Sequence, residues 1–356
     1  MLYKSLLTSL LFASAIAAPV ESDDRSRSKV RWLGRVNPAT KELTWPGTGV
    51  SFKFTGTKAT IALTAINGDN SFELLVDNSP ATIIPSVNTT SISTPQLPRS
   101  EHLVTLRRRS ETALGTVNIG DITADGALSP APAPKRQIEY VGDSITVGYG
   151  LDGTLPCINN AAVTDNPRTY AALAATALKA DYHIIAWSGK GIVRNYASGQ
   201  NDTSPLMPEL WTRYGANDAD GSYPFPSSWN PSAVVINLGT NDFGYLNVRE
   251  KLDIAAYTQA FVDFVGKVQT KYKRAAFFLL SSPMLNDGYP TAEDAQHTTQ
   301  VNALKDAISR LNGTKAYFVD WPAQGAAVGC DYHPNAATHA AEGQVLAKAI
   351  GTALGW

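Results

Sequence analysis

Ile138-Glu139-Tyr140-Val141-Gly142-Asp143-Ser144 is the stretch that indicates the fold of this 356-residue chain most directly. A largely apolar run that ends in glycine predicts a strand followed by a tight turn. A serine placed where a strand turns into a loop or helix has its hydroxyl exposed beside backbone N–H groups, as a nucleophile requires. Taken alone, the same residues are also compatible with an ordinary turn, so the prediction depends on the rest of the chain.

Three further motifs occupy comparable positions. Ser188-Gly189-Lys190-Gly191 comes directly after the apolar run 182–187, and its glycines let backbone N–H groups come close to a ligand. Gly239-Thr240-Asn241-Asp242 follows the apolar run 233–238, where an Asn amide is available to a developing oxyanion. Asp331-Tyr332-His333-Pro334 supplies a general base with a carboxylate two residues away. Together the motifs supply a candidate nucleophile, candidate oxyanion donors and a candidate base, the groups that ester hydrolysis by a serine requires.

The part of the chain from 137 to 356 alternates strand-like runs with helical patterns. The runs are 138–141, 183–187, 234–238 and 275–280, and the helical patterns are 169–179, 254–271, 295–311 and 336–354. This alternation predicts an α/β domain, a parallel sheet with helices on both faces. Because Ser144, Gly189 and Asn241 each follow a strand, we expect them to converge at the carboxyl edge of that sheet.

The preceding part of the chain has a different pattern. Residues 29–127 contain short alternating runs, such as Val50 to Phe54, separated by turn signals such as Asn67-Gly68. This pattern predicts an all-β sandwich domain. The Pro-rich stretch 128–136 then predicts an extended, semi-rigid linker between the sandwich and a catalytic domain of residues 137–356.

The motifs together resemble the ordered blocks of the SGNH, or GDSL-type, hydrolase superfamily. Gly142-Asp143-Ser144, Gly189, Asn241 and His333 occupy the block positions. Within this superfamily the chain is similar to carbohydrate esterase family 2, polysaccharide acetyl esterases with a jelly-roll sandwich ahead of a flavodoxin-like SGNH domain. The closer similarity, which extends from about Arg31 to the C-terminus, is carried by residues 33–36, 45–52 and 329–335.

The resemblance implies a role for each block residue. Ser144 would be the nucleophile, and His333 would be the base that takes its proton and later gives it to the leaving alcohol. The N–H groups of Ser144 and Gly189 and the side-chain amide of Asn241 would form the oxyanion hole.

One position departs from the superfamily spacing. The orienting Asp usually stands three residues before the His, where this chain has Cys330. Asp331 stands two residues before His333, on the same side if the segment is extended, and is therefore the predicted third member of the triad. The alternative is that a main-chain carbonyl orients His333.

Three residues are candidates for substrate binding. Trp321 and Tyr332 lie near His333 in sequence, and their flat aromatic faces suit the apolar face of a pyranose. Asp143, beside the predicted nucleophile, is the third candidate.

The N-terminus predicts a secreted protein. Residues 1–18 have the features of a cleaved signal peptide: Lys4, an apolar stretch over 6–16 and small residues near the end. The apolar stretch is shorter than the roughly 20 residues that a membrane anchor needs. Because secretion places the chain in an oxidising compartment, we predict a disulfide between Cys157 and Cys330, the alternative being two free thiols.

Composition and charge limit the classes of ligand that the chain is expected to bind. The net charge is −1 and no basic run is sustained, which disfavours nucleic acid and suits an uncharged carbohydrate. No histidine pair has a zinc-type spacing, and two cysteines are too few for a cysteine-rich metal site, so we expect no metal and no cofactor. We expect an extracellular monomer with no membrane partner, and glycosylation sequons begin at Asn88, Asn201 and Asn312.

These observations favour a secreted serine esterase that removes O-acetyl groups from plant cell-wall polysaccharides such as acetylated xylan or glucomannan. The resemblance further implies a preference for 6-O-linked acetyl groups. One alternative is a GDSL-type lipase or lysophospholipase, which would need a long apolar acyl channel or lid. The other is a carbohydrate-binding protein with an inactive site, and the intact Ser144, Asn241 and His333 weigh against it.

Overall fold

The computed structural model describes residues 29–197 and 202–356. The predicted signal peptide, residues 1–18, lies outside the described residues, as does Asn201 of the second sequon. Asn88 and Asn312 of the other two sequons are exposed. Within the described ranges, no helix combines the length and the apolar composition that crossing a membrane requires.

The N-terminal domain is a sandwich of two antiparallel sheets. Its strands are β1 (Arg31–Leu33), β2 (Glu42–Leu43), β3 (Gly49–Gly56), β4 (Ala59–Gly68), β5 (Phe72–Val76), β6 (Thr82–Ile84), β7 (Ser91–Ser93), β8 (Ser100–Arg108), β9 (Gly115–Ala124) and β10 (Leu128–Pro130). One sheet has the order β1-β3-β8-β5-β6 with β10 also on β3, and the other has the order β2-β9-β4-β7. Alternate residues point inward, as Phe72, Leu74 and Val76 of β5 do, and form one core between the sheets.

The connector between the domains is shorter than predicted. Leu128–Pro130 pairs with β3 as a strand of the sandwich, and the catalytic sheet already begins at Arg136. Ala131 is buried, and the carbonyl oxygen of Pro132 accepts a hydrogen bond from Arg31 at 2.9 Å. The Pro-rich composition therefore produces a packed connection rather than the expected spacer over 128–136, because its first residues still hydrogen-bond as an edge strand.

The second domain is a five-stranded parallel sheet with helices on both faces. Its strands, in the order β12-β11-β13-β14-β15, are β11 (Arg136–Gly142), β12 (Ala180–Ala186), β13 (Ala233–Asn237), β14 (Ala276–Leu280) and β15 (Ala316–Val319). The helices are α1 (Ser144–Val147), α2 (Tyr170–Ala177), α3 (Met207–Leu210), α4 (Thr240–Phe243), α5 (Ile254–Lys271), α6 (Gln296–Arg310) and α7 (Ala336–Leu354). Short 3₁₀ turns cover Asn166–Arg168 and Cys330–Tyr332. The predicted architecture is confirmed.

Apart from the edge strand β15, the strands bury most residues on both of their faces, which is why their sequences are nearly continuous apolar runs. In β13, Val234 and Ile236 join the core that contains α5 and α6, whereas Ala233 and Val235 join the core that contains α2 and α7. Each core thus needs its own pair of helices. The sheet is fixed between them, and its carboxyl edge carries the turns that follow β11, β12 and β13.

Buried arginines of the sandwich attach it to the catalytic domain. The guanidinium of Arg35 donates to the main-chain carbonyl of Arg213 at 2.9 Å, and that of Arg109 donates to Asp165 at 3.0 Å. Both arginines are almost fully buried. Because a buried guanidinium that loses its hydrogen-bond partners is costly, these contacts fasten the sandwich to the catalytic domain.

Candidate active site

The predicted nucleophile, Ser144, begins α1 directly after the turn that ends β11. The carboxylate of Asp143 caps this helix by accepting a hydrogen bond from the Ile145 N–H at 3.0 Å. A Cβ at Gly142 would lie 1.9 Å from Oγ1 of Thr146, so only glycine fits this turn. The local sequence therefore places the Ser144 hydroxyl at the carboxyl edge of the sheet.

The predicted base, His333, contacts the predicted nucleophile directly. Its Nε2 lies 2.8 Å from Oγ of Ser144, although the two residues are 189 positions apart in the chain. The ring packs on that of Tyr149, with centroids 4.2 Å apart. Its Nδ1 lies 3.1 Å from the main-chain carbonyl oxygen of Asp331. Since a carbonyl only accepts, Nδ1 carries the proton in this arrangement, and Nε2 is free to accept the proton of Ser144.

The expected contact between the Asp331 carboxylate and the His333 imidazole is not formed. The alternative, a contact between the imidazole and a main-chain carbonyl, is the one that the structure has. The carboxylate instead accepts hydrogen bonds from the Tyr149 hydroxyl at 2.9 Å and from the Asn159 N–H at 3.2 Å. The prediction assumed an extended segment, but Asp331 and Tyr332 have φ values of 50° and 64°. This left-handed turn directs the carboxylate away from the ring and brings the carbonyl to it.

The predicted oxyanion-hole residues lie on three neighbouring turns. Gly189, with φ of 81°, follows β12, and Asn241 lies in α4 directly after β13. The Asn241 amide donates to the carbonyl of Lys190 at 2.9 Å and lies 3.4 Å from the Asp143 carboxylate, which ties the turns together. Within residues 29–197 and 202–356, the N–H groups of Ser144 and Gly189 have no acceptor. Donors that lack a partner at this edge suit an oxyanion.

Two carboxyl groups lie beneath this edge. Burial raises the pKa of Asp143 to about 7 and that of Asp242 to about 6. Asp242 accepts hydrogen bonds from the consecutive N–H groups of Ile192, Val193 and Arg194 at 3.1, 2.7 and 2.9 Å. Asp242 therefore holds the loop that follows Gly189. Asp242 belongs to the motif 239–242, but the sequence did not predict this role.

The predicted substrate-binding residues separate into buried and exposed ones. Asp143 and Trp321 are both 0% exposed. The Asp143 carboxylate is occupied by the cap of α1, and Trp321 packs edge-on against Tyr170 with ring centroids 4.5 Å apart. These two predictions are wrong, since neither side chain reaches a surface where a sugar binds. Tyr332 is 67% exposed beside His333 and remains a candidate.

The predicted disulfide between Cys157 and Cys330 is formed. It joins the loop after the predicted nucleophile to the segment that carries the predicted base. The Asp331 N–H donates to the Cys157 carbonyl at 3.3 Å beside the bridge. The crosslink and this hydrogen bond hold the left-handed turn that sets the direction of the Asp331 carbonyl.

Other residues of the site carried no signal that sequence reasoning detected. Tyr149 supports the His333 ring, and Asn159 holds the Asp331 carboxylate. Glu111, from the sandwich, accepts hydrogen bonds from both the N–H and the hydroxyl of Ser188, next to Gly189. Glu111 is 77 positions from Ser188 and lies in another domain, so no sequence motif identifies the contact.

The chain matches two family models that together cover most of its length. Residues 32–134 match the carbohydrate esterase 2 N-terminal model, and residues 140–341 match the GDSL-like lipase/acylhydrolase family. A crystal structure of a carbohydrate esterase family 2 enzyme plus carbohydrate binding domain from Corynascus thermopiles (Myceliophthora fergusii) is 68% identical. It superposes with a TM-score of 0.90 over 92% of this chain and 100% of that one.

Two curated relatives are bacterial. A cellulase/esterase of Acetivibrio thermocellus is 31% identical over 94% of this chain, which spans 41% of that relative's length. An acetylxylan esterase / glucomannan deacetylase of Cellvibrio japonicus is 31% identical over 79% of each protein. With both domain models matched in order and this similarity to solved and curated members, the chain belongs to carbohydrate esterase family 2, and its catalytic domain to the GDSL-like lipase/acylhydrolase family.

Proposed function

We propose that the protein is a secreted serine esterase that removes O-acetyl groups from acetylated plant cell-wall polysaccharide, xylan or glucomannan, with 6-O-acetyl groups preferred. The 2.8 Å contact between His333 Nε2 and Ser144 Oγ is the observation that carries the proposal. The relative named as an acetylxylan esterase / glucomannan deacetylase supports the choice of substrate.

The proposed reaction follows from the contacts of the site. Ser144 Oγ attacks the acetyl carbonyl carbon while His333 Nε2 takes the hydroxyl proton. The N–H groups of Ser144 and Gly189 stabilise the oxyanion, and the Asn241 amide joins them by exchanging its long 3.4 Å contact with Asp143 for the oxyanion. His333 then protonates the leaving sugar oxygen, and water, activated by the same imidazole, hydrolyses the acetyl-enzyme. The carbonyl of Asp331 keeps the Nδ1–H oriented throughout.

The proposal is tested by comparing p-nitrophenyl acetate, p-nitrophenyl octanoate and acetylated xylan as substrates, with Ser144→Ala as control. We expect hydrolysis of the acetate ester and release of acetic acid from xylan, both lost in the variant. Faster hydrolysis of the octanoate ester would replace the proposal with a lipase. Absence of Ser144-dependent hydrolysis on all three would replace it with the carbohydrate-binding alternative.

The pH profile is a prediction from the environment of His333. Desolvation lowers the pKa of His333 to about 4, and the hydrogen bond to the Asp331 carbonyl only partly offsets this effect. The base works only when it is neutral, so activity is present above the pKa and lost as pH falls through it. As the pH is lowered, we expect kcat/KM for p-nitrophenyl acetate to remain constant past pH 6 and to fall only near pH 4. An acid limb centred near pH 6.5 would contradict the assigned environment.

Replacing Asp331 distinguishes the two ways of orienting His333. In Asp331→Asn the main-chain carbonyl remains, the amide oxygen still accepts from Tyr149 and Asn159, and Asn tolerates the left-handed backbone. We therefore expect kcat to fall by less than about fivefold, whereas converting a triad Asp to Asn costs about 10⁴-fold. A loss of three orders of magnitude in kcat, with an unchanged melting temperature, would assign the orienting role to the carboxylate.

Tyr332→Ala tests whether the exposed ring contacts the polysaccharide. We expect KM for acetylated xylan to rise about tenfold, since stacking contributes about 1 kcal/mol or slightly more. The kcat for p-nitrophenyl acetate should be unchanged, because the Tyr332 side chain has no assigned part in the chemical steps. Tyr289→Ala, which removes another exposed tyrosine, is the matched control. Equal effects of the two variants on KM would remove Tyr332 from the binding surface.

A further inference from the structure

The turn that carries Gly189 is held at several of its backbone groups. The Lys190 N–H donates to the Trp187 carbonyl at 3.3 Å, and the Gly189 carbonyl accepts from the Tyr196 N–H at 2.7 Å. The Lys190 carbonyl accepts from the Asn241 amide at 2.9 Å. These contacts do not constrain Ser188. Its backbone dihedral angles matter because they set the direction of the Gly189 N–H.

Glu111 of the sandwich supplies the missing constraint. Its Oε2 accepts from the Ser188 N–H at 3.2 Å, and its Oε1 accepts from the Ser188 hydroxyl at 2.8 Å. One carboxylate thus holds both the backbone and the side chain of a single residue. Glu111 is 2% exposed, so solvent does not compete for these hydrogen bonds.

Glu111 is itself held in position within the sandwich. Its main-chain carbonyl accepts hydrogen bonds from the Leu114 N–H at 3.2 Å and from the buried guanidinium of Arg108 at 2.5 Å. The neighbouring Arg109 attaches the same loop to Asp165 of the catalytic domain. Burial raises the pKa of Glu111, and the hydrogen bonds from Ser188 and the charge of Arg108 oppose that shift. A buried acidic side chain that bonds to Ser188 is thus held at a position that the reaction itself does not use.

We propose that Glu111 is a positioning residue of the active site, which holds Ser188 from the sandwich so that the Gly189 N–H points at the oxyanion. The inference rests on the proposed esterase function. It makes the sandwich a working part of the oxyanion hole, because a catalytic domain without Glu111 lacks the constraint on Ser188.

Kinetics of three variants of the full chain test the proposal. Removing an oxyanion-hole donor lowers kcat by about 10²–10³-fold, and a misdirected donor loses part of that contribution. In Glu111→Ala we therefore expect kcat for p-nitrophenyl acetate to fall between about tenfold and 100-fold, with KM within about twofold of wild type. Glu111→Gln should stay within about threefold of wild type, because its amide oxygen accepts from the Ser188 N–H and its NH₂ donates to the hydroxyl. Glu101→Ala, which removes a surface carboxylate of the same domain paired with Lys53, should match wild type.

Hydrogen exchange supplies a readout that does not depend on activity. The Ser188 amide should exchange faster in Glu111→Ala than in wild type or Glu111→Gln, while the amides of β12 keep their protection. If Glu111→Ala does not fold, Ser188→Ala tests the same contact with the carboxylate in place. It should lower kcat about threefold to tenfold without raising KM.

The outcomes separate this proposal from the proposed function. Unchanged kcat in Glu111→Ala, or unchanged kcat in Ser188→Ala where that variant is needed, would overturn it. So would a loss of kcat that Glu111→Gln does not restore, or unchanged exchange at Ser188. If wild type hydrolyses no ester, the proposed function fails, and the exchange measurement alone decides whether Glu111 holds the turn.

Discussion

Ser144→Ala is expected to lower kcat for p-nitrophenyl acetate by about 10⁴-fold or more, because no other group takes over once a nucleophile that acts together with its base is removed. The substitution deletes the Oγ that lies 2.8 Å from His333 Nε2 and leaves the cap of α1 intact. We therefore expect an unchanged melting temperature. Initial-rate assays on the purified proteins measure kcat, and thermal unfolding of the same samples measures the melting temperature.

Ser309→Ala is the control for this experiment. Ser309 is exposed on α6, and its hydroxyl donates to the carbonyl of Asp306 in the preceding turn, far from the described site. The control should keep wild-type kcat. A Ser144→Ala protein that retains more than a tenth of wild-type kcat would show that another residue attacks the ester.

His333→Ala is the second large effect, with an expected loss in kcat of similar size, about 10⁴-fold or more. Without the imidazole, no base takes the Ser144 proton, although the oxyanion donors remain. The deleted ring lies against Tyr149 and is partly exposed, so the vacated space is open to a small molecule. Free imidazole added to the assay should restore part of the rate in His333→Ala and none in Ser144→Ala.

His297→Ala controls for the loss of a histidine as such, since His297 lies on α6, 3.4 Å from Asp320. It should behave as wild type with and without imidazole. Retention of most of the rate in His333→Ala, or equal rescue of both active-site variants, would contradict the assignment of the general base.

The predicted helices of the catalytic domain agree closely with the structure where the pattern is long. The predicted helices 254–271 and 336–354 coincide with α5 and α7, because each presents a sustained apolar face to one side of the sheet. β15 was not predicted, since it is a four-residue strand at the edge of the sheet with only Val319 buried. A run of four apolar residues is too short for its periodicity to indicate a strand.

The errors at the site have a common cause, since sequence position does not give side-chain direction. Trp321 is near His333 in the chain, but its ring turns into the core against Tyr170. Asp331 was placed beside the imidazole by assuming extended backbone, and two left-handed residues reversed that arrangement. A left-handed conformation at a residue other than glycine is uncommon, so a sequence pattern seldom indicates it.

By itself, the sequence determined the order of the two domains, the parallel sheet, and the convergence of Ser144, Gly189 and Asn241. Those features follow from local periodicity and from turns at the ends of strands. The place of His333 beside Ser144 was implied by the family resemblance. Only the tertiary structure decided which atom of Asp331 faces His333 and that Glu111 reaches Ser188 from the sandwich. The physical reason is that backbone dihedral angles in a crosslinked turn, and contacts between domains, depend on packing that no local pattern encodes.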